Sequence, residues 1–125
     1  NQVLKYYSSP DVYFIGFSQG ALMCYEYVLH CSTPWGAVFP IAGFMTNADN
    51  KDIHRFHPNQ KNTPIIIGHG KEDDIVEFKS SEIAYNYLKR KGAQVELLSY
   101  SGRHKIGISF LRKIKSTITL MSSKS

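Results

Sequence analysis

The sequence predicts an α/β fold with a mostly parallel sheet of about four strands and flanking helices. Short apolar runs alternate with helical segments, and a Gly-Phe-Ser-Gln-Gly segment at 16–20 joins the first run to the first helix. Strands that alternate with helices along a chain are typical of a parallel sheet. Because 125 residues allow one core of modest size, we expect a single domain over 1–125.

The predicted elements follow from apolar periodicity and from turn residues. The third strand is continuously apolar, as strands buried on both faces are, whereas the fourth is less apolar and should lie nearer an edge. The segment 45–62 is polar without periodicity, which predicts a loop, with a flap over a site as one interpretation. The predicted strands are 12–15, 37–43, 64–68 and 95–100, and the predicted helices are 21–30, a segment capped by Ser80 or Ser81 that stops at Gly92, and 106–120.

Composition excludes several classes of function. The net charge is +5, but the basic residues are scattered, and the two clusters (89–91 and 112–115) fall late in predicted helices, where cations suit the helix dipole and solvent. We therefore expect no nucleic-acid partner. No apolar run reaches the length of a transmembrane span. Cys24 and Cys31 suggest reduced thiols that pack in the fold, and hence a cytoplasmic protein.

The segment 16–20 has the pattern of a nucleophile elbow, a sharp turn that presents a serine between a strand and a helix. Gly16 and Gly20 would allow the close strand–helix approach and the strained backbone that this turn needs. Ser18 would have its hydroxyl exposed at the top of the sheet, and the backbone N–H of Gln19 would point at a developing oxyanion. The alternative interpretation is a Gly/Ser turn with no chemistry.

A serine hydroxyl becomes a good nucleophile when a histidine takes its proton and an acid orients that histidine. Three acids, Glu72, Asp73 and Asp74, follow the third predicted strand, and His104 follows the fourth. Because the carboxyl ends of parallel strands meet at one edge of the sheet, Ser18, an acid and His104 can converge there. Charge alone does not decide among the three acids.

From Val12 onward the chain resembles the phospholipase/carboxylesterase family of α/β hydrolases, which includes the acyl-protein thioesterases. The resemblance rests on Gly-Phe-Ser-Gln-Gly at 16–20, Thr-Pro-Ile-Ile-Ile-Gly-His-Gly at 63–70, Asp-Asp-Ile-Val at 73–76 and Tyr-Ser-Gly-Arg-His at 100–104. It implies Asp73 as the catalytic acid, His104 as the base and Ser18 as the nucleophile of a carboxylic-ester or thioester hydrolase that works through an acyl-enzyme. It also implies that no cofactor is needed, and that the substrate is a small acyl ester, a lysophospholipid or an S-acylated protein.

The other histidines have simpler interpretations. The resemblance implies a structural role for His69, which precedes Gly70 at a predicted strand end. His54 and His57 form a His-x-x-His pair, but no predicted helix holds them and no third ligand follows at suitable spacing. We therefore expect a loop there and no metal.

The resemblance to the family is incomplete in the part of the sequence that precedes Ser18. Members of the family carry several strands before the elbow, and a loop there donates a second oxyanion N–H. We therefore expect a truncated α/β-hydrolase fold that lacks the N-terminal strands and leaves the nucleophile strand with an exposed edge. The alternative to an enzyme is an incomplete, non-catalytic hydrolase fragment that binds a partner or forms a homo-oligomer through that edge.

Overall fold

The computed structural model describes residues 11–46 and 56–122, which form a four-stranded parallel sheet with helices on both faces. The strands lie in chain order, β1-β2-β3-β4, and each pairs in parallel with the next. The α/β fold and the parallel sheet are thereby confirmed. The elements are β1 (Tyr13–Phe17), α1 (Gln19–Glu26), a 3-10 turn (Val28–His30), β2 (Ala37–Ile41), a 3-10 turn (Pro58–Gln60), β3 (Ile65–Gly70), α2 (Phe78–Arg90), β4 (Val95–Tyr100) and α3 (Ile108–Ser122).

Burial along the strands follows their place in the sheet. Every residue of β2 and β3 is buried, because each of these strands has a neighbour on both sides and helices over both faces. β1 and β4 are only partly buried, and within the described residues each pairs with one strand. The expected edge position of the 95–100 strand is confirmed.

Two apolar layers cover the sheet. On one face, α1 and α2 bury a cluster that includes Trp35, Ile67 and Leu88. On the other face, α3 buries Phe39 and Phe110. Trp35 and Phe39 are thus core residues. The sheet is held between two hydrophobic layers, which fixes the strand ends in space.

Two predicted helix ends were wrong. α1 ends at Glu26 and is followed by the 3-10 turn, where the Val28 carbonyl accepts a hydrogen bond from Trp35 Nε1 at 3.0 Å as the chain turns back toward β2. Helix α2 begins at Phe78 with Glu77 as its N-cap residue, not at Ser80 or Ser81. Ser81 is fully buried and bonds to a histidine from the sheet instead, so a tertiary contact replaces the expected cap.

The predicted 45–62 loop is described only in part, since residues 47–55, including His54, lie outside the described residues. Its second half packs on the domain, because the buried Gln60 donates from Nε2 to the carbonyls of Cys31 at 2.6 Å and Thr33 at 2.7 Å. His57 Nδ1 accepts a hydrogen bond from the Asn59 N–H, which occupies it within its own turn. The flap over a site stays a prediction.

Neither a disulfide nor a membrane-spanning helix is present in the described ranges 11–46 and 56–122. Cys24 and Cys31 are free thiols, and burial raises the pKa of Cys24 to about 12. No described helix is both long enough and apolar enough to cross a bilayer. The same residues contain no group of three or more His, Cys, Asp or Glu side chains suited to a metal ion.

The two glycines of the 16–20 segment differ in their surroundings. A Cβ added at Gly16 would lie 2.2 Å from the carbonyl oxygen of Gly20, so β1 and α1 approach as closely as glycine permits. A Cβ added at Gly20 would meet nothing within 4 Å. The sequence predicts that both glycines are needed for the close approach, but only Gly16 is needed on steric grounds.

We predict that Gly16→Ala lowers the free energy of unfolding by about 3 kcal/mol, the upper end of the usual cost of overpacking, because the clash is with backbone. Gly20→Ala is the matched control, and it should be neutral or stabilising by up to about 1 kcal/mol, since alanine favours a helix. Urea unfolding of both variants measures this difference. Equal stability of the two variants would contradict the close approach of β1 and α1.

Candidate active site

The strand register brings the carboxyl ends of all four strands to one edge of the sheet. Phe17 at the end of β1 is paired with Ile41 of β2, which is paired with Gly68 of β3. Gly70 at the end of β3 is paired with Tyr100 at the end of β4. The residues that follow β1, β3 and β4 therefore emerge at the same edge of the sheet.

Ser18 occupies a strained turn between β1 and α1. Its φ of 58° and ψ of −109° lie in a region that residues other than glycine rarely adopt, at a cost of order 1–3 kcal/mol. The surrounding backbone holds it there: the Ser18 N–H donates to the Ile41 carbonyl at 2.8 Å, and the Ser18 carbonyl accepts from Ala21 at 3.0 Å. The strained turn that the sequence predicted is present.

Three side chains that are far apart in the sequence converge at this edge. The His104 Nε2 lies 3.0 Å from the Ser18 Oγ, and the His104 Nδ1 lies 2.8 Å from the Asp73 Oδ2. A carboxylate only accepts, so His104 Nδ1 carries the proton and Nε2 is left to accept the hydrogen bond of the Ser18 hydroxyl. Two hydrogen bonds thus connect the Ser18 hydroxyl to the His104 imidazole and the imidazole to the Asp73 carboxylate.

The Asp73 carboxyl is buried but well supplied with donors. Its Oδ1 accepts from the backbone N–H groups of Ile75 and Val76, each at 2.9 Å. Burial by itself raises the pKa of Asp73, but the hydrogen bond from His104, the two backbone donors and the charge of His104 outweigh it and leave the pKa below its ordinary value. Asp73 is therefore held in the carboxylate form.

The other two acids of this turn have different partners. Glu72 Oε1 accepts from the Gly102 N–H at 2.8 Å, and the Glu72 N–H donates to the Gly102 carbonyl at 3.0 Å. Asp74 Oδ2 lies 3.4 Å from the Arg103 guanidinium in a pair whose side chains are both more than half exposed. Glu72 thus fastens the loop that carries His104, and the exposed pair contributes little.

Close backbone contacts hold the His104 loop against the turn after β3. A Cβ at Gly70 would lie 2.4 Å from the Gly102 carbonyl oxygen, which only glycine avoids. The Tyr100 hydroxyl donates to the Lys105 carbonyl across the loop. The Phe17 ring lies 4.8 Å from the His104 ring, so it restricts the imidazole from the β1 side.

His69 takes no part in the contacts to Ser18. It is fully buried, with Nδ1 2.6 Å from Ser81 Oγ and Nε2 2.7 Å from the Val76 carbonyl oxygen. The resemblance implies a structural role for His69, but no sequence pattern indicates its contact with Ser81 or the contact between Glu72 and Gly102, since both depend on tertiary packing. The backbone N–H of Gln19, the expected oxyanion donor, lies at the N-terminus of α1, where helix N–H groups lack intrahelical partners.

A parallel sheet with a serine on a strained strand-to-helix turn, and with a histidine and a carboxylate after later strands, defines a protein of the α/β-hydrolase type. The model of the phospholipase/carboxylesterase family matches residues 2–122, and the chain belongs to this family.

Individual relatives agree with this family. The carboxylesterase SOBER1 of Arabidopsis thaliana is 30% identical over 109 residues, which cover 86% of this chain and 47% of the relative. Acyl-protein thioesterase 1 of Aspergillus fumigatus is 32% identical over 81 residues, or 63% of this chain and 33% of the relative. The crystal structure of Arabidopsis SOBER1 superimposes with a TM-score of 0.84 at 26% identity, over 96% of this chain and 57% of that one. The chain thus spans about half the length of the SOBER1 relative.

The lowered pKa of Asp73 predicts a pH dependence of stability. A carboxyl whose folded-state pKa is depressed contributes stability above its unfolded pKa of about 3.9, and this contribution is lost as the pH falls through the lower folded-state value. The free energy of unfolding should therefore decrease below about pH 4, and Asp73→Asn should lose the part due to this carboxylate. Urea unfolding between pH 2 and pH 6, with Asp74→Asn as the exposed control, measures the effect. An identical pH dependence in wild type and Asp73→Asn would contradict it.

Proposed function

We propose that this chain carries the catalytic centre of a serine hydrolase that cleaves carboxylic esters or thioesters through an acyl-enzyme. The observation that supports this most is the line of hydrogen bonds from Ser18 Oγ to His104 at 3.0 Å and from His104 to Asp73 at 2.8 Å. Ser18 is the nucleophile, His104 the general base and Asp73 the residue that orients His104. The family's relatives named carboxylesterase and acyl-protein thioesterase support the same class of reaction.

The proposed reaction has two halves. Ser18 Oγ attacks the acyl carbonyl carbon while its proton moves to His104 Nε2, which gives a tetrahedral oxyanion and an imidazolium stabilised by Asp73. The oxyanion collapses, the bond to the alcohol or thiol breaks, and the leaving group takes the proton from Nε2. In the second half, Nε2 takes a proton from water, the resulting nucleophile attacks the acyl-enzyme, and collapse returns the proton to Ser18 as the carboxylic acid leaves.

The proposed oxyanion donor is the backbone N–H of Gln19. It follows Ser18 directly and belongs to the first turn of α1, where both the free N–H groups and the helix dipole favour negative charge. Removal of one such donor typically slows turnover by about a hundredfold to a thousandfold, so this group matters to the rate.

Apolar side chains near the site support an acyl substrate. Ile75 is 70% exposed, and its own N–H is bonded to Asp73. Phe44, also exposed, follows Gly43, at which an added Cβ would lie 2.9 Å from the Ser18 carbonyl oxygen. We propose that these side chains contact the substrate, which is a small acyl ester, a lysophospholipid or an S-acylated protein. We also propose that the protein acts in the cytoplasm, as its two free thiols suggest.

A second candidate function is a binding module that oligomerises through β1. Within the described residues β1 pairs only with β2, and Ile15 in its middle is 53% exposed. An unpaired strand edge beside an exposed apolar side chain invites pairing with another chain. This candidate does not account for the hydrogen bonds between Ser18, His104 and Asp73, which is why the hydrolase is preferred.

We predict that a fluorophosphonate probe labels Ser18 covalently, because His104 can take the hydroxyl proton during attack on phosphorus. Ser18→Ala should abolish labelling, and His104→Ala should slow it by about ten-thousandfold, as loss of a triad member does. Intact-protein mass spectrometry and peptide mapping measure both outcomes. The matched control is Ser116→Ala, which removes an exposed hydroxyl on α3 and should leave labelling unchanged.

A folded wild-type protein that stays unlabelled would contradict the proposed hydrolase. Light scattering on the same sample then tests the second candidate. An unreactive oligomer would support the binding module, whereas an unreactive monomer would contradict both.

The three acids should differ sharply in their effect on labelling. Asp73→Asn should slow it by about ten-thousandfold, because the amide can hold His104 in the wrong tautomer. Asp74→Asn should change it less than about threefold, since its ion pair is exposed. Labelling rates of the two variants, corrected for the folded fraction by circular dichroism, measure the contrast. A larger effect of Asp74→Asn would show that the proposed acid is wrong.

A further inference from the structure

His69 has both ring nitrogens engaged although it is buried completely and lies outside the contacts to Ser18. Its Nδ1 lies 2.6 Å from the Ser81 Oγ of α2, and its Nε2 lies 2.7 Å from the Val76 carbonyl oxygen. The Phe78 ring packs against the imidazole at 5.6 Å in an edge-on arrangement. The ring is therefore fixed from three sides.

The partners of His69 determine its tautomer. A carbonyl oxygen only accepts, so Nε2 carries the proton that is donated to Val76. In the neutral ring Nδ1 is then the acceptor, and the Ser81 hydroxyl donates to it. A buried neutral imidazole with one donor and one acceptor satisfied costs little, so this arrangement is self-consistent.

Val76 connects this imidazole to the Asp73 carboxylate. Its carbonyl accepts from His69, while its N–H donates to Asp73 Oδ1 at 2.9 Å. The His69 Nε2 also lies 3.4 Å from Asp73 Oδ2, the oxygen that faces His104 at 2.8 Å. The Nε2 proton is donated to Val76, and the edge of the imidazole lies beside the same carboxylate oxygen that His104 uses.

We propose that His69 is a positioning residue of the site: through the backbone of Val76, and by its own packing beside Oδ2, it sets the direction in which Asp73 Oδ2 meets His104. Ser81 on α2 contributes to this positioning, because its hydroxyl donates to Nδ1 and so stabilises the tautomer in which Nε2 donates to Val76. The inference rests on the proposed function, since it assigns His69 a role in orienting the residues of that site. A histidine that merely fills the core would leave the Asp73–His104 contact unchanged when replaced.

The first test replaces His69 by two amides of different reach. His69→Asn places its amide short of Val76, whereas His69→Gln extends a donor about as far as the original Nε2. We expect His69→Asn to slow fluorophosphonate labelling of Ser18 by roughly tenfold to a hundredfold, as small misplacements of reacting groups do. His69→Gln should recover much of that rate. Leu88→Ala is the control for general destabilisation, because Leu88 is buried in the apolar cluster that includes Trp35 and Ile67, and its rate per folded protein should equal that of wild type.

The second test observes the hydrogen bond itself by proton NMR. An imidazole N–H bonded to a carboxylate resonates far downfield, and the signal of His104 Nδ1–H is assigned by its loss in Asp73→Asn. We expect this resonance to shift or broaden in His69→Asn and to persist in Leu88→Ala. If His69→Asn does not fold, Ser81→Ala replaces it in both measurements, and several-fold slower labelling with a perturbed resonance is the expected result.

The outcomes separate this inference from the proposed function. Wild-type labelling and resonance in His69→Asn, or in Ser81→Ala where that variant stands in, would overturn the positioning role. So would a loss of rate per folded protein in Leu88→Ala as large as that in His69→Asn. If wild type itself is not labelled, the proposed hydrolase fails, and the resonance alone then decides: its perturbation in His69→Asn supports the positioning role and its persistence overturns it.

Discussion

The buried carboxylate of Asp73 is the group around which the candidate active site is organised. A carboxylate removed from water costs several kcal/mol unless it is paired and hydrogen-bonded. Asp73 satisfies this requirement locally, because the two N–H groups that bind Oδ1 come from the turn it begins. Its other oxygen lies between two imidazoles, His104 at 2.8 Å and His69 at 3.4 Å. The Asp73 carboxylate thereby contacts the turn after β3 and the loop after β4 directly, and it reaches the start of α2 through His69 and Ser81.

Ser18, the proposed nucleophile, is held by a different means. Ser18 stays at φ 58° because the Ile41 carbonyl accepts its N–H and because Gly16 lets α1 approach β1. Strain of this kind persists only where the surrounding structure over-determines it. Since the constraints come from the sheet and from α1 rather than from the acid, the serine and the carboxylate are positioned independently, and His104 is the link between them.

Much of this arrangement is predictable from the sequence, and the failures have a common physical cause. The elbow at 16–20 and the strands predicted at 64–68 and 95–100 follow from local pattern, because glycine spacing and apolar runs report backbone geometry directly, although β3 extends to Gly70. The choice among Glu72, Asp73 and Asp74 does not, since all three are acids in one turn. In the structure β3 ends at Gly70, and the turn that follows buries Asp73 while it leaves Glu72 and Asp74 exposed. Ser81 is a second example, because its local sequence pattern predicts a helix cap, whereas its observed partner is His69, twelve residues away in the sequence.

The two sides of the site also differ in how far they depend on the rest of the sheet. Asp73 and His104 are joined by contacts between two adjacent strand ends, including the reciprocal hydrogen bonds of Glu72 and Gly102. The segments that follow β3 and β4 therefore hold the two residues against each other. Ser18 follows β1, which within the described residues has one strand neighbour and carries the half-exposed Ile15. A chain segment or partner that pairs with the free side of β1 would therefore act on Ser18 first. The change would reach His104 through its contacts with Ser18 and Phe17, whereas Asp73 follows β3 and is held by its own turn.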